Sequence, residues 1–233
     1  MSTARYELHE SVATITLDDG KVNVLGPAMQ SAVNEALDRA EQDGAKAVVI
    51  AGNARVFSGG FDLSVFQAGD VPAALGMLTG GFTLAVRCLT FPAPVIMAAT
   101  GPAIAMGSFL LLSGDRRIGG PRTRCQANEV AIGMVLPNAA LEIMRLKLTP
   151  AAMDRAAALA TTYTGDDAIA AGWLDEVVED TDRVVPRAQE VAAEAAATLD
   201  LRAHLASKLK ARAAALNAIR AGIDSLASEY TLG

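Results

Sequence analysis

Apolar and polar positions along this chain of 233 residues switch between two periods, and the switches divide it into strands and helices. Val12 to Leu17 alternates apolar and hydroxyl residues, the period-2 pattern of a half-buried strand, and makes a hairpin with Arg5 to His9. From Pro27, a residue suited to a first helical turn, Met29, Val33, Leu37 and Ala40 recur at helical spacing until Gly44 stops the run. Ala47 to Ala51 is short and wholly apolar, which reads as a buried strand. A second helical stretch follows from about Val71 to Leu89. Pro92 and Pro94 end it and admit the strand Val95 to Ala99. Strand, helix, strand, helix, strand in that order implies parallel pairing through crossovers.

The pattern then repeats. A glycine-containing turn, Gly101 to Gly107, opens the apolar helix Ser108 to Leu112, and Arg116 to Ile118 and Arg124 to Ala127 read as short strands. From Pro137 the chain is largely helical: Leu141 to Leu148, Pro150 to Ala160, Asp166 to Ala171, then an alanine-rich stretch from about Val184 to Tyr230. Only Trp173 to Val178 interrupts it, as a last strand. Leu205, Leu209, Leu216, Ile219 and Ile223 make apolar faces too wide for solvent, so these helices are expected to pack on the core and on a neighbouring subunit. Two strand-turn-helix units with glycine turns point to a superhelical stack of similar layers. The expected division is a core over residues 1–182 and a helical region over 183–233.

Composition narrows the class. Hydrophobic residues are 52 % and charged residues 20 % of the chain, as in a globular protein, and no apolar run is expected to span a membrane. Met1 to Glu7 lacks the apolar region of a secretory signal, and Cys88 and Cys125 make no disulfide framework, so a reducing cytoplasm is expected. A net charge of −6, no basic block and ten aromatic residues argue against a nucleic-acid groove.

What is missing removes most chemistries. His9 and His204, the two histidines, lie near opposite ends of the chain with no metal-ligand spacing, so neither a metal site nor a Ser-His-Asp triad is expected. No G-x-G-x-x-G or P-loop sequence occurs. Carboxylates and backbone remain. Phe57-Ser58-Gly59-Gly60-Phe61-Asp62 follows an apolar strand directly, and its two glycines allow positive φ and close approach, so the turn can aim main-chain N–H groups at a ligand. The plainer reading is a surface turn before a helix, with Asp62 as N-cap. Glu129 sits in the mostly apolar segment Ala127 to Gly133, where desolvation raises a carboxyl pKa towards that of a general base; the alternative is a helix cap or a pair with Arg122 or Arg124. Asp115, after Ser113-Gly114, reads as a turn residue.

Taken together, Phe57 to Asp62, Ala98-Ala99-Thr100-Gly101 through Gly107 with Asp115 eight residues on, Glu129 to Gly133, and Ala171 to Val178 resemble the enoyl-CoA hydratase/isomerase, or crotonase, family over about residues 5 to 180. The resemblance implies an α/β fold, a crotonase-like ββα superhelix with a C-terminal helical trimerisation region, assembled as a homotrimer or dimer of trimers. It implies a role in fatty acid metabolism on an acyl thioester of coenzyme A, with no cofactor beyond that CoA. By position, the N–H groups of Phe61 and Met106 form the hole for the thioester oxygen as it becomes an enolate, and preorganised donors stabilise that charge. Asn23, Val24 and Leu25 match the early loop whose backbone meets the adenine of CoA, Lys21 is near enough to reach a phosphate, and Gly60, Asp62, Leu63, Gly107 and Phe109 complete the substrate site. Leu63 and Phe66 are placed beside the pantetheine or acyl arm, and Met77, Leu78 and Phe82 either line an acyl pocket or are what an ordinary packed helix shows. Lys208 and Lys210 are candidate phosphate contacts, or simply solvated helix residues.

Two departures bear on the reaction. The family's second turn usually has three glycines, and here it reads Ala105-Met106-Gly107. Hydratases of the family carry two glutamates; this chain keeps the second as Glu129 and has Phe109 at the first. One base suits moving a proton from C2 to C4, so 3,2-enoyl-CoA isomerisation is the leading expectation. Weak hydration, another thioester reaction such as decarboxylation or hydrolysis, and a non-catalytic acyl-CoA-binding protein are the alternatives.

Overall fold

The computed structural model describes residues 3–230; Met1, Ser2 and Thr231 to Gly233, at the outer ends of the two expected regions, lie outside the described residues. The chain opens with the hairpin β1 (Ala4–His9) and β2 (Val12–Leu17), antiparallel with Ala4 opposite Leu17. Helix α1 (Pro27–Gln42) starts with Pro27 in its first turn and buries Met29, Val33, Ala36, Leu37 and Ala40, the stripe its spacing predicts. After β3 (Ala47–Ala51) come the short α2 (Leu63–Gln67), capped by Asp62, and α3 (Val71–Thr90), capped by Asp70. Then follow β4 (Val95–Ala99), β5 (Ala103–Ile104), α4 (Met106–Leu112), β6 (Arg116–Gly119) and β7 (Cys125–Gln126).

Helices α5 (Asn138–Lys147), α6 (Pro150–Leu159) and α7 (Gly165–Ala171) precede β8 (Glu176–Val177). The last strand is shorter than its apolar run predicts. Gly172 takes a left-handed conformation, and the amides of Trp173 and Leu174 turn back onto the Ala168 carbonyl, so these two residues finish the end of α7 instead of extending β8. The alanine-rich stretch is three helices, α8 (Val184–Thr198), α9 (Leu201–Asp224) and α10 (Leu226–Tyr230), because Asp200 caps a new start by accepting from the Ala203 amide and Ser225 separates the last two.

The main sheet has the order β1-β2-β3-β4-β6-β8, parallel from β2 onward. Its central strands are buried on both faces, which is why they read as unbroken apolar runs. Val48 and Ile50 face the core beneath α1, α3 and α4, while Ala47, Val49, Ala51, Ile96 and Ala98 face Val184, Ala188, Val191 and Ala192 of α8. Among the described helices, α3 is long and apolar enough to cross a membrane by length and composition, yet half of its apolar window is buried inside the fold. Its Arg87 pairs with Asp38 at 2.5 Å and Glu41 at 3.3 Å.

Helix α9 lies across α3 and α5 and is tied down by charge. Lys208 Nζ donates to Asp115 Oδ2 at 2.8 Å and to the Phe91 carbonyl at 3.0 Å, and Arg212 donates to Asp115 Oδ1 at 2.8 Å. This corrects both readings of Lys208, which is buried and engaged rather than solvated or aimed at a ligand, whereas Lys210 is exposed. Asp115 is likewise more than a turn residue. Burial alone would raise its pKa, but the two cations and the Val95 amide outweigh that and hold it below the usual carboxylate range.

Candidate active site

A second ladder, beside the main sheet, assembles the candidate residues. Val24 bridges Gly60, Ser58 bridges Ala103, β5 pairs in parallel with β7, and Cys125 bridges Tyr163. Ser58, Ala103 and Cys125 are therefore successive rungs in parallel register. Three residues beyond each stand Phe61, Met106 and Asn128, with Glu129 next. Each unit thus sends one strand into the main sheet, one rung into the second ladder, and then a turn or helix into the same region. Ligand sites gather at such carboxyl ends of parallel strands.

The first two turns are stacked on each other. Gly60 has φ +97°, and a Cβ there would stand 2.9 Å from Ala105 Cβ and 3.4 Å from the Met106 nitrogen, so the glycine permits both the turn and the close approach. Gly107 does the same for the opening of α4: its Cβ would meet the Ser58 carbonyl oxygen at 2.4 Å. Among the described residues, the amides of Phe61 and Met106 donate to no backbone or side-chain acceptor, while the neighbouring Ala105 amide bonds the Gln126 carbonyl at 2.9 Å. Met106 heads α4, where the helix dipole adds to the donor. Its side chain is fully buried in the core, away from the turn surface. Ala105 reaches this arrangement with φ +48° and ψ −127°, a conformation strained by about 1–3 kcal/mol for a residue with a Cβ.

Glu129 begins a 3-10 turn, Glu129–Ile132, and is 7 % exposed. Among the described residues its Oε2 has no hydrogen-bond partner, nor has Oδ1 of Asn128. Neither Arg122 nor Arg124 pairs with it; Arg122 instead donates to the Ala54 carbonyl and Thr181. Burial pushes the Glu129 carboxyl up to about 7, with its own amide opposing. A carboxyl poised there can accept and return a proton near neutrality. Phe109 is 1 % exposed and stacked on Phe82 with centroids 6.2 Å apart, so the position that could hold a second carboxylate is part of the aromatic core.

The other expected contacts divide. Lys21, Val24, Asp62 and Leu63 are exposed or half-buried beside the first turn. Asn23 and Leu25 are fully buried: Asn23 Nδ2 donates to the carbonyls of Leu17, Val56 and Phe57, and the Leu25 amide donates to the Gly60 carbonyl at 2.7 Å. These two hold the loop against the turn. Asp62 accepts from the Ser64 amide as the cap of α2. Met77, Leu78 and Phe82 are buried in the core. Two surface cavities, of about 230 and 280 Å3, are lined by none of the candidate residues. Sequence reading did not single out Ala105 or Asn128 as parts of this region.

Repeated strand-strand-helix units with backbone turns stacked at one end make this a crotonase-type α/β superhelix. Comparison with known proteins agrees, and the chain belongs to the family described as enoyl-CoA hydratase/isomerase, whose model matches residues 7–228. An apo structure described as an enoyl-CoA isomerase of Mycobacterium tuberculosis is 54 % identical, with a TM-score of 0.94, covering 98 % of this chain and 99 % of that one. A structure described as a probable enoyl-CoA hydratase of M. tuberculosis H37Rv is also 54 % identical, with a TM-score of 0.96, covering 99 % and 97 %. A probable enoyl-CoA hydratase of the same species is 31 % identical over 88 % of this chain and 79 % of its own length. Other matches are partial: the chain spans 58 % of a putative enoyl-CoA hydratase of Thermus thermophilus and 23 % of a peroxisomal bifunctional enzyme of Cavia porcellus.

Proposed function

We propose that this protein is a 3,2-enoyl-CoA isomerase whose base is Glu129 and whose oxyanion hole is formed by the amides of Phe61 and Met106. Glu129 takes a proton from C2 of a 3-enoyl thioester, and the electron pair passes onto the thioester oxygen between the two amides as the dienolate forms. The protonated Glu129 then returns its proton at C4, leaving the double bond between C2 and C3 and the carboxylate regenerated. One preorganised donor contributes about 3 kcal/mol to such a transition state. The observation that carries the reading is a buried carboxylate with one oxygen unpartnered among the described residues and a pKa raised to about 7, together with a buried Phe109 at the position of a second carboxylate.

The relatives described above bear both the names isomerase and hydratase, so the choice rests on the residues. Glu129→Gln is expected to abolish conversion of a 3-enoyl-CoA while acyl-CoA binding persists, and wild type is expected to add water to a 2-enoyl-CoA far more slowly than it isomerises. Full activity in Glu129→Gln would overturn the base assignment, faster hydration would favour a hydratase, and tight binding without turnover would favour a binding protein. The early loop at Lys21 and Val24 is the proposed CoA contact. Exposed Val130, Ile132 and Val135, with Leu159 on α6 packed beside that turn, support a trimer or dimer of trimers, to be read by light scattering. Two buried free cysteines support a reducing, cytoplasmic setting.

A further inference from the structure

The Phe61 amide is one of the two donors proposed above, and the ring of the same residue reaches helix α3. The half-buried Phe61 ring stands edge-on to Phe82 at 6.1 Å and to Phe66 at 6.3 Å, and it rests on the backbone of α3 at Gly81. A Cβ at position 81 would lie 2.5 Å from Phe61 Cε1 and 2.8 Å from Cζ, closer than carbon atoms approach. Glycine is the poorest helix former after proline, so three glycines in one helix need separate reasons. Gly80 leaves room for Gln30, whose Oε1 would be 2.2 Å from a Cβ, whereas Gly76 meets nothing within 4 Å. Gly81 alone makes room for the aromatic ring.

A push at the far end of that ring is relieved by turning the side chain or by moving the Phe61 backbone, and the edge contacts with Phe82 and Phe66 oppose the first. On the C-terminal side of Phe61 the backbone is anchored by Asp62, which caps α2 and lies against Gly26, where a Cβ would stand 3.3 Å from Asp62 Cβ. On the N-terminal side stands Gly60, which has φ +97°, is stacked on Met106, and has its carbonyl held by the Leu25 amide at 2.7 Å. A displaced Phe61 Cα therefore tilts the peptide that carries its N–H about the anchored Gly60 carbonyl, which changes the aim of that N–H. We propose that Gly81 is a positioning residue for the reaction: the hollow it leaves in α3 seats the Phe61 ring and so sets the aim of the Phe61 amide. This rests on the enolate-holding reading of the site.

The test uses the full chain and two readouts, the near-ultraviolet enolate absorption of bound acetoacetyl-CoA and kcat on a 3-enoyl-CoA. Gly81→Ala is expected to lower both by roughly tenfold or more, as small misplacements of reacting groups do, with affinity for free CoA changed less than twofold. Gly76→Ala, in the same helix, is expected to leave both unchanged. Leucine lacks Cε1 and Cζ, so alanine at 81 is expected to have no further effect in a Phe61→Leu background; this comparison carries the test should Gly81→Ala alone not fold. Wild-type enolate signal in Gly81→Ala, or a tenfold effect that persists with Leu at 61, overturns the proposal. A wild-type chain that neither polarises acetoacetyl-CoA nor loses turnover on Glu129→Gln overturns the enolate reading itself, and this positioning role with it.

Discussion

Glu129 is expected to destabilise the protein it serves. In the unfolded chain its carboxyl titrates near 4.5, and in the folded chain burial moves it to about 7. Between those values the folded state holds the proton more tightly, so stability falls as pH rises through the window and levels off above about 7. At 1.36 kcal/mol per pH decade, the interval amounts to roughly 3 kcal/mol. Glu129→Gln keeps the shape and polarity but removes the charge. It should match wild type near pH 4.5 and exceed it by up to about 3 kcal/mol at pH 8, read from urea unfolding at a series of pH values. The rate should move the other way: kcat/KM of wild type rises with pH through about 7 as the carboxylate forms. Parallel stability curves for the two proteins across pH 4.5 to 8 would show that Glu129 is not desolvated, and the argument for a base poised at neutrality would fail.

Three further outcomes follow from the packing. Asp115→Asn leaves Lys208 and Arg212 without their counter-charge and should cost about 3–5 kcal/mol in chemical unfolding; because the folded pKa of Asp115 is lowered, the wild-type contribution is present above its unfolded value of 3.8 and is lost as pH falls through the folded value. Gly107→Ala drives a Cβ to 2.4 Å from the Ser58 carbonyl oxygen and should lower stability by about 1–3 kcal/mol while separating the stacked turns, seen as lower kcat with the chain still folded. Asn23→Ala removes the donor shared by the carbonyls of Leu17, Val56 and Phe57, of which Val56 keeps a 3.5 Å bond from Thr100 Oγ1, and should lower the midpoint of thermal unfolding by several degrees, since a buried unpaired acceptor costs about 1–3 kcal/mol.

What could be read in advance was what depends on neighbours in sequence. The stripe of α1 and the unbroken apolar runs of β3 and β4 were legible because burial on one side or both leaves a period in the residues themselves. The glycine turn was legible because positive φ at Gly60 calls for that residue type. β5 is two residues long and lies inside the second glycine-containing turn, so it was missed, and with it the rung that stacks Met106 on the Gly60 turn. The second turn was legible from Gly101 and Gly107, but not that Ala105 takes a glycine conformation within it without being glycine. Lys208 looked like any helix-surface lysine because its partner Asp115 lies 93 residues away. Gly81 and Phe61 are 20 residues apart on different elements, and no local pattern joins them. The donors and the base can be proposed from motifs because each follows its own rung. How sharply they are aimed depends on contacts between rungs and helices, so variants that leave every motif intact, such as Gly81→Ala, are where the largest unexpected losses of rate should lie.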